Sequence, residues 1–190
     1  MNKMLTAQNT FNAPGFNDSM MLDKAERELE RLLPARGFEP YDHMFNFSLT
    51  LAALCDWTFH VRLSHLTRWA GKKESHFTNW VRHTNQDAFV FIDLSNEFKH
   101  ANRVTPSTLA EKMMLGYIDL GKHPQARPTC DLSKGWIQPM GGAEWYFFPS
   151  LKFNGKTENF HDVGTRAIAW WKSFDPAVPE PMDIKGNIVP

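Results

Sequence analysis

The sequence predicts a mainly α protein, a bundle of four to five helices with a small antiparallel β-element before the last helix. Two observations support this prediction. Apolar residues recur at helical spacing through much of residues 18–103 and again from about residue 161. Between these two parts prolines and glycines interrupt the chain, and the Asn154-Gly155 pair is the strongest short hairpin signal.

The helices are bounded by capping and breaking residues. Asn17 or Asp18 can cap the first helix, and Pro34 and Gly37 follow its end. The second helix is apolar around nearly its whole circumference, which is typical of a central buried helix. The predicted helices span about residues 18–33, 42–66, 75–83, 87–103 and, starting at 161 or 162, to 174.

Short strands are predicted where aromatic and β-branched residues lie between turn signals. These strands cover residues 116–120, 145–148, 150–153 and 157–160. The domain organisation that follows is a flexible arm at 1–17, one helical-bundle domain at 18–174 with a β-insertion at about 116–160, and a proline-rich extended tail at 175–190.

The composition excludes several classes of protein. The 190 residues carry 21 Lys and Arg against 21 Asp and Glu, so nucleic acid could bind only at a local patch. The sequence has neither a long uncharged apolar segment nor a signal-peptide pattern, and its two cysteines lie far apart. We therefore expect a cytoplasmic protein with reduced thiols and no membrane association. There is no glycine-rich phosphate loop, and no cofactor is expected.

The fourth predicted helix carries the main candidate site. Asp93, Asn96, Glu97 and His100 follow the i, i+3, i+4, i+7 spacing that places side chains on one stripe of a helix. Lys99 and Arg103 lie beside this stripe, and Phe91, Leu94, Phe98 and Ala101 form the opposite arc. Such a stripe suits an acid–base or nucleic-acid site, and it is equally typical of a solvated helix face.

Asp56 and His60 form a second polar feature, at i, i+4 within the apolar second helix. Burying both groups is costly unless they find partners. One interpretation is a buried structural pair. The other is that this face meets the fourth helix, so that Asp56 and His60 lie across a cleft from Asn96 and His100.

A metal site is a further alternative. Glu97 and His100 have the Glu-x-x-His spacing of helix-bundle metal sites, and Asp56 and His60 could complete four ligands. A di-metal carboxylate bundle needs that pair twice, whereas this chain has it once. The prediction is accordingly a site without a metal.

The segment Ser95-Asn-Glu-Phe-Lys-His100 resembles the R-N-x-x-x-H signature of HEPN domains, with serine in place of the arginine. The motif order is also similar to a group of uncharacterised bacterial and phage proteins. The matching motifs are Cys55-Asp56-Trp57, Leu94-Ser95-Asn96, Lys99-His100, a β-hairpin and Ala169-Trp170-Trp171. The resemblance spans about residues 42–174.

This resemblance implies a helical bundle, often dimeric, of the kind found in toxin–antitoxin, abortive-infection and CRISPR-associated systems. Many such domains are metal-independent ribonucleases. His100 would then transfer protons, Asn96, Asp56 and His60 would complete the catalytic group, and Lys99 and Arg103 would bind phosphate. The implied partners are RNA, an antitoxin-like protein or a second copy of the chain. The alternative is a non-catalytic phage or mobile-element accessory module that binds a partner protein.

Overall fold

The computed structural model describes residues 17–35, 37, 39–99 and 109–190. Its helices are α1 Asp18–Leu32, α2 Glu39–Thr58, α3 Glu74–Thr84, α4 Gln86–Lys99 and α5 Phe160–Lys172. Its strands are β1 Ala110–Asp119, β2 Trp136–Met140, β3 Ala143–Phe153 and β4 Lys156–Asn159. Helices combined with a small antiparallel sheet were expected. Strands β1 and β3 are longer than predicted, with 10 and 11 residues, so the fold is mixed α/β and "mainly α" is only roughly right.

The helix boundaries follow the capping signals in the sequence. The Asn17 side chain accepts a hydrogen bond from the Met20 amide at 3.2 Å, so Asn17 is the cap of α1. Asn159 caps α5 in the same way, accepting from His161 N–H at 2.9 Å and Asp162 N–H at 3.3 Å. Both caps satisfy amides that the first turn of a helix leaves without partners.

The second helix changes its winding near its end. After Thr58 the chain continues as a π-helical turn, Phe59–Leu63, in which Ser64 N–H donates to the Phe59 carbonyl at 2.8 Å. Such a turn accommodates one extra residue and is frequent at functional sites. The predicted helix at 42–66 therefore begins earlier and ends in a different helical geometry.

The central strand of the sheet is β3. Strand β1 pairs with one of its edges, and β2 and β4 share the other. The predicted break at Pro149 is wrong, because Pro149 lies between the parts of β3 that pair with β2 and with β4. No ladder partner needs the missing proline N–H there. Strand β2 was not predicted.

The core forms where helices and sheet meet. The Phe47 ring of α2 lies 4.8 Å from Phe91 of α4 and 5.6 Å from Phe160 of α5, and Phe91 and Phe160 are 5.1 Å apart. Leu151 and Phe153 of β3 belong to the same cluster. Among the described residues, none of the helices combines the length and apolar character needed to cross a membrane.

The C-terminal segment corrects the prediction of a simply extended tail. Met182 N–H donates to the His76 carbonyl at 3.3 Å, and Asn79 Nδ2 donates to the Met182 carbonyl at 3.2 Å, which attaches residues 175–190 to α3. The segment then reverses direction, with a bridge between Met182 and Ile188. Proline richness predicted an extended backbone but could not indicate this packing.

Gly135 provides a test of the packing between β2 and β3. A Cβ atom at Gly135 would lie 2.2 Å from the Phe147 carbonyl oxygen, a backbone atom that cannot move aside. We expect Gly135→Ala to lower the free energy of unfolding by about 3 kcal/mol, as overpacked sites do. Thermal melting measures this loss. The control is Gly121→Ala, whose added Cβ would meet the Asp119 side chain at 3.2 Å. Equal melting temperatures for the two variants would contradict the packing.

Candidate acid–base site

Asp56 and His60 lie on the solvent side of the second helix rather than in the core. Both residues are exposed, and the His60 side chain retains 62% of its accessible surface. The interpretation as a buried polar pair is therefore wrong. The all-round apolar character of this helix is misleading because Phe45, which shares this face, is itself 37% exposed.

His60 has a partner that the sequence did not indicate. Its Nε2 atom lies 3.2 Å from the Glu74 Oε2 atom, and Glu74 is the first residue of α3. The Cys55 thiol and the Thr78 hydroxyl, 3.8 Å apart, hold α3 against α2 one turn away from this pair. The Glu74 carboxylate orients the His60 imidazole, as a hydrogen-bonded carboxylate commonly does for an acid–base histidine. No local sequence signal links two residues fourteen positions apart.

Asp56 completes the cluster one turn before His60. Partial shielding of its carboxyl from water raises the pKa of Asp56, and the neighbouring Glu74 carboxylate raises it further. The charges of Lys99 and His60 act in the opposite direction. The end of α4 therefore lies close enough for Lys99 to influence Asp56, and we call Asp56, His60, Glu74 and Lys99 the α2–α3 cluster.

The polar stripe of the fourth helix divides into two parts. Asp93 is fully buried, and its Oδ2 atom accepts hydrogen bonds from Leu109 N–H at 2.8 Å and Ala110 N–H at 3.1 Å. It therefore holds the start of β1 and is not a solvated group of the predicted stripe. Every residue from Ala88 to Ser95 is buried, because α4 packs between α2, α3, α5 and the sheet.

The remaining candidate residues lie at the end of α4. Asn96 and Glu97 are half-buried, and Lys99 is exposed. His100 and Arg103 fall outside the described residues. The predicted arrangement of Asp56 and His60 opposite Asn96 and His100 therefore stays a prediction.

The described part of the structure contains no set of ligands for the alternative metal site. Within residues 17–35, 37, 39–99 and 109–190, no group of three or more His, Cys, Asp or Glu side chains is arranged to hold a metal ion. The Glu97–His100 pair lies partly outside these residues, so its ligand spacing remains a feature of the sequence alone. What the α2–α3 cluster can do chemically is exchange protons at a water-accessible surface.

Comparisons with known protein families, curated proteins and solved structures found no match to this chain. The resemblance to HEPN domains therefore rests on the residues quoted for it.

Substituting Asp93 tests its structural role. Asp93→Ala removes the acceptor of the Leu109 and Ala110 amides at the start of β1. Unpaired buried groups cost about 1–3 kcal/mol each, so a total loss of about 2–5 kcal/mol is expected. Chemical denaturation measures this loss. Asp93→Asn keeps one acceptor oxygen and should lose less. The control is Asp23→Ala, at an exposed position of α1, which should change stability little. If Asp93→Ala matched this control, the anchoring role would be excluded.

The pKa of Asp56 predicts a pH-dependent stability. In the folded protein this pKa lies above its ordinary value of 3.8, so the folded protein binds the proton more tightly than the unfolded chain does. The free energy of unfolding should therefore fall as the pH rises through the interval above 3.8. Asp56→Asn cannot ionise, so it should melt above wild type at pH 7, and the difference should shrink towards pH 3.8. A variant that is less stable by the same amount at both pH values would contradict this.

Proposed function

We propose that the protein acts on RNA through metal-independent acid–base chemistry at the α2–α3 cluster. The observation that carries this proposal is the exposed His60 imidazole, held by Glu74 at 3.2 Å, with the Asp56 carboxyl one turn away. An imidazole can accept a proton, and a carboxyl group whose pKa is raised by burial donates its proton at a higher pH than an ordinary carboxyl group does. Lys99 adds the positive charge that a phosphate group needs.

The reaction that such a pair supports is internal transesterification of the RNA backbone. A base removes the proton of a ribose 2′-hydroxyl, whose oxygen attacks the adjacent phosphorus atom. The bond from phosphorus to the 5′ oxygen breaks, and an acid protonates that oxygen. The products are a 2′,3′-cyclic phosphate and a 5′-hydroxyl. We assign His60 to proton transfer from the 2′-hydroxyl and Asp56 to protonation of the leaving oxygen.

A HEPN-like identity is the finer part of this proposal. The resemblance adds Asn96 of α4, and His100, which follows Lys99 in the sequence, as further members of the same site. Ser95, which stands in place of the motif arginine, is fully buried and cannot contact a substrate. The positive charge of that arginine would have to come from Lys99, which is exposed, or from Arg103. Because buried Ser95 cannot supply it, the second candidate function is a protein that binds RNA without cleaving it.

Cleavage of a labelled single-stranded RNA tests the proposal. His60→Ala and Asp56→Asn should each lower the rate about 10²–10⁴-fold, the usual contribution of one acid–base group. His100→Ala should do the same if the HEPN-like assignment holds. The control is His65→Ala, at an exposed position in the turn that follows Leu63. A chelator should leave the rate unchanged.

The outcomes separate the alternatives. Binding of RNA by wild type without cleavage would exclude the enzyme and support the non-cutting candidate. Cleavage that survives both His60→Ala and Asp56→Asn would exclude the α2–α3 cluster as the site. Loss of cleavage on chelation would show that the chemistry depends on a metal.

A further inference from the structure

One side of the sheet carries aromatic side chains where β3 lies between β1 and β2. Tyr117 of β1 is opposite Phe147 of β3, and Asp119 is opposite Trp145. Side chains alternate along a strand, so Tyr117, Trp145 and Phe147 share one side. We call these three residues the aromatic face. The Tyr117 ring lies 5.4 Å from Trp145 and 6.2 Å from Phe147.

The aromatic face is open to solvent although the same side of β3 is buried further on. Leu151 and Phe153 lie in the core against the helices, whereas Tyr117 is 63% exposed and Trp145 and Phe147 are half-buried. A contiguous patch of solvent-exposed aromatic side chains is typical of a surface that binds a ligand or a partner.

Neighbouring groups of β2 hold the rings in place. Trp136 of β2 is buried and stacks on Phe147 at 5.8 Å, with 18° between the ring planes. The Trp145 Nε1 atom donates to the Met140 carbonyl at 3.1 Å, which fixes the indole against the β2–β3 turn. The surface is therefore preorganised, so a ligand would bind without paying for the ordering of these side chains.

The loop between β1 and β2 places cations beside this face, and each of them is paired with a carboxylate. Residues 121–135 contain Lys122, Arg127 and Lys134, together with the carboxylate of Asp131. Lys122 lies 3.4 Å from Asp119, Arg127 pairs with Glu144, and Lys134 lies 2.5 Å from Asp162. The Lys122 side chain is nevertheless 77% exposed, so it can also contact a phosphate.

The Asp119 carboxylate, which lies on the same side of the sheet as the aromatic face, already accepts hydrogen bonds within the protein. It accepts hydrogen bonds from Gly121 N–H at 3.0 Å and Lys122 N–H at 3.2 Å, and these bonds help to lower its pKa. It therefore shapes the loop and presents Lys122.

We propose that the aromatic face stacks unpaired bases of a single-stranded RNA, with the phosphates along Lys122 and Arg127. This inference rests on the proposed function, because it supplies the substrate class for the α2–α3 cluster. Aromatic rings beside cations are the chemistry by which proteins hold single strands, since every base has a face on which a ring can stack. In a duplex the bases are stacked on one another and unavailable to this surface.

Fluorescence polarisation with a 12-nucleotide oligouridine RNA tests the inference, using a duplex of 12 base pairs as the comparison probe. Tyr117→Ala and Trp145→Ala should each weaken binding of the single strand roughly 5- to 150-fold, which corresponds to the loss of one stacked base. Tyr117→Phe keeps the ring and should bind as wild type does. The control is Ile184→Ala, at a position with the same 63% exposure as Tyr117.

Salt dependence tests the phosphate contacts separately. Each phosphate contact to a single strand contributes about 0.7 to the slope of log K against log salt concentration. Lys122→Gln should therefore reduce this slope by about 0.7. Thermal melting of every variant checks that the fold is intact, and Trp145→Ala gives a second measure if Tyr117→Ala destabilises the protein.

The results distinguish this inference from the proposed function. Cleavage of RNA by wild type with unchanged binding in Tyr117→Ala and Trp145→Ala would overturn the aromatic face and leave the α2–α3 cluster standing. Binding that is lost in these variants, without cleavage by wild type, would support the face and exclude the enzyme. Equal affinity for the duplex and the single strand would overturn base stacking. Binding of a neutral oligosaccharide in preference to RNA would also overturn the inference.

Discussion

The buried carboxylate of Asp93 joins the two parts of this molecule. It lies in the middle of α4, and it accepts hydrogen bonds from Leu109 N–H and Ala110 N–H at the start of β1. The helices and the sheet are therefore connected by buried hydrogen bonds as well as by apolar packing. A carboxyl group in such a position is tolerated only where hydrogen-bond partners satisfy its oxygens.

The aromatic core takes its position from the same interface. Phe91, two residues before Asp93, contacts Phe47 of α2 and Phe160 of α5, and Phe160 directly follows the last strand. The ring-to-edge contacts among these three residues fix how α2, α4 and α5 cross. Once α4 is held between them, its final turn and the first turn of α3 lie at the same end of the molecule as Asp56.

The exposed end of α2 gains its chemical character from this arrangement. The π-helical turn Phe59–Leu63 presents His60 to solvent, and α3 supplies Glu74 from a different part of the chain. The aromatic face lies on the sheet instead. A protein with zero net charge can carry two such surfaces because each depends on local groups rather than on the overall field.

Local patterns determined much of the architecture. Helical periodicity, the Asn17 cap and the Asn154-Gly155 turn were sufficient to predict α1, α3, α5 and the β3–β4 hairpin, because these signals act within a few residues. They could not predict that β3 continues through Pro149, since the tolerance for proline depends on which strands pair beside it. The attachment of residues 175–190 to α3 depends likewise on distant partners.

The sequence by itself also identified Asp56, His60 and Asn96 as polar groups on helices, and it placed Asp93 among them. Tertiary structure alone decided their roles. Asp93 is buried and bonds the backbone at the start of β1. His60 is exposed because the other faces of this helix pack against the core. Glu74 joined His60 only when two helices crossed. Periodicity states which face of a helix a residue occupies, whereas the neighbouring elements determine whether that face meets water, a carboxylate or the core.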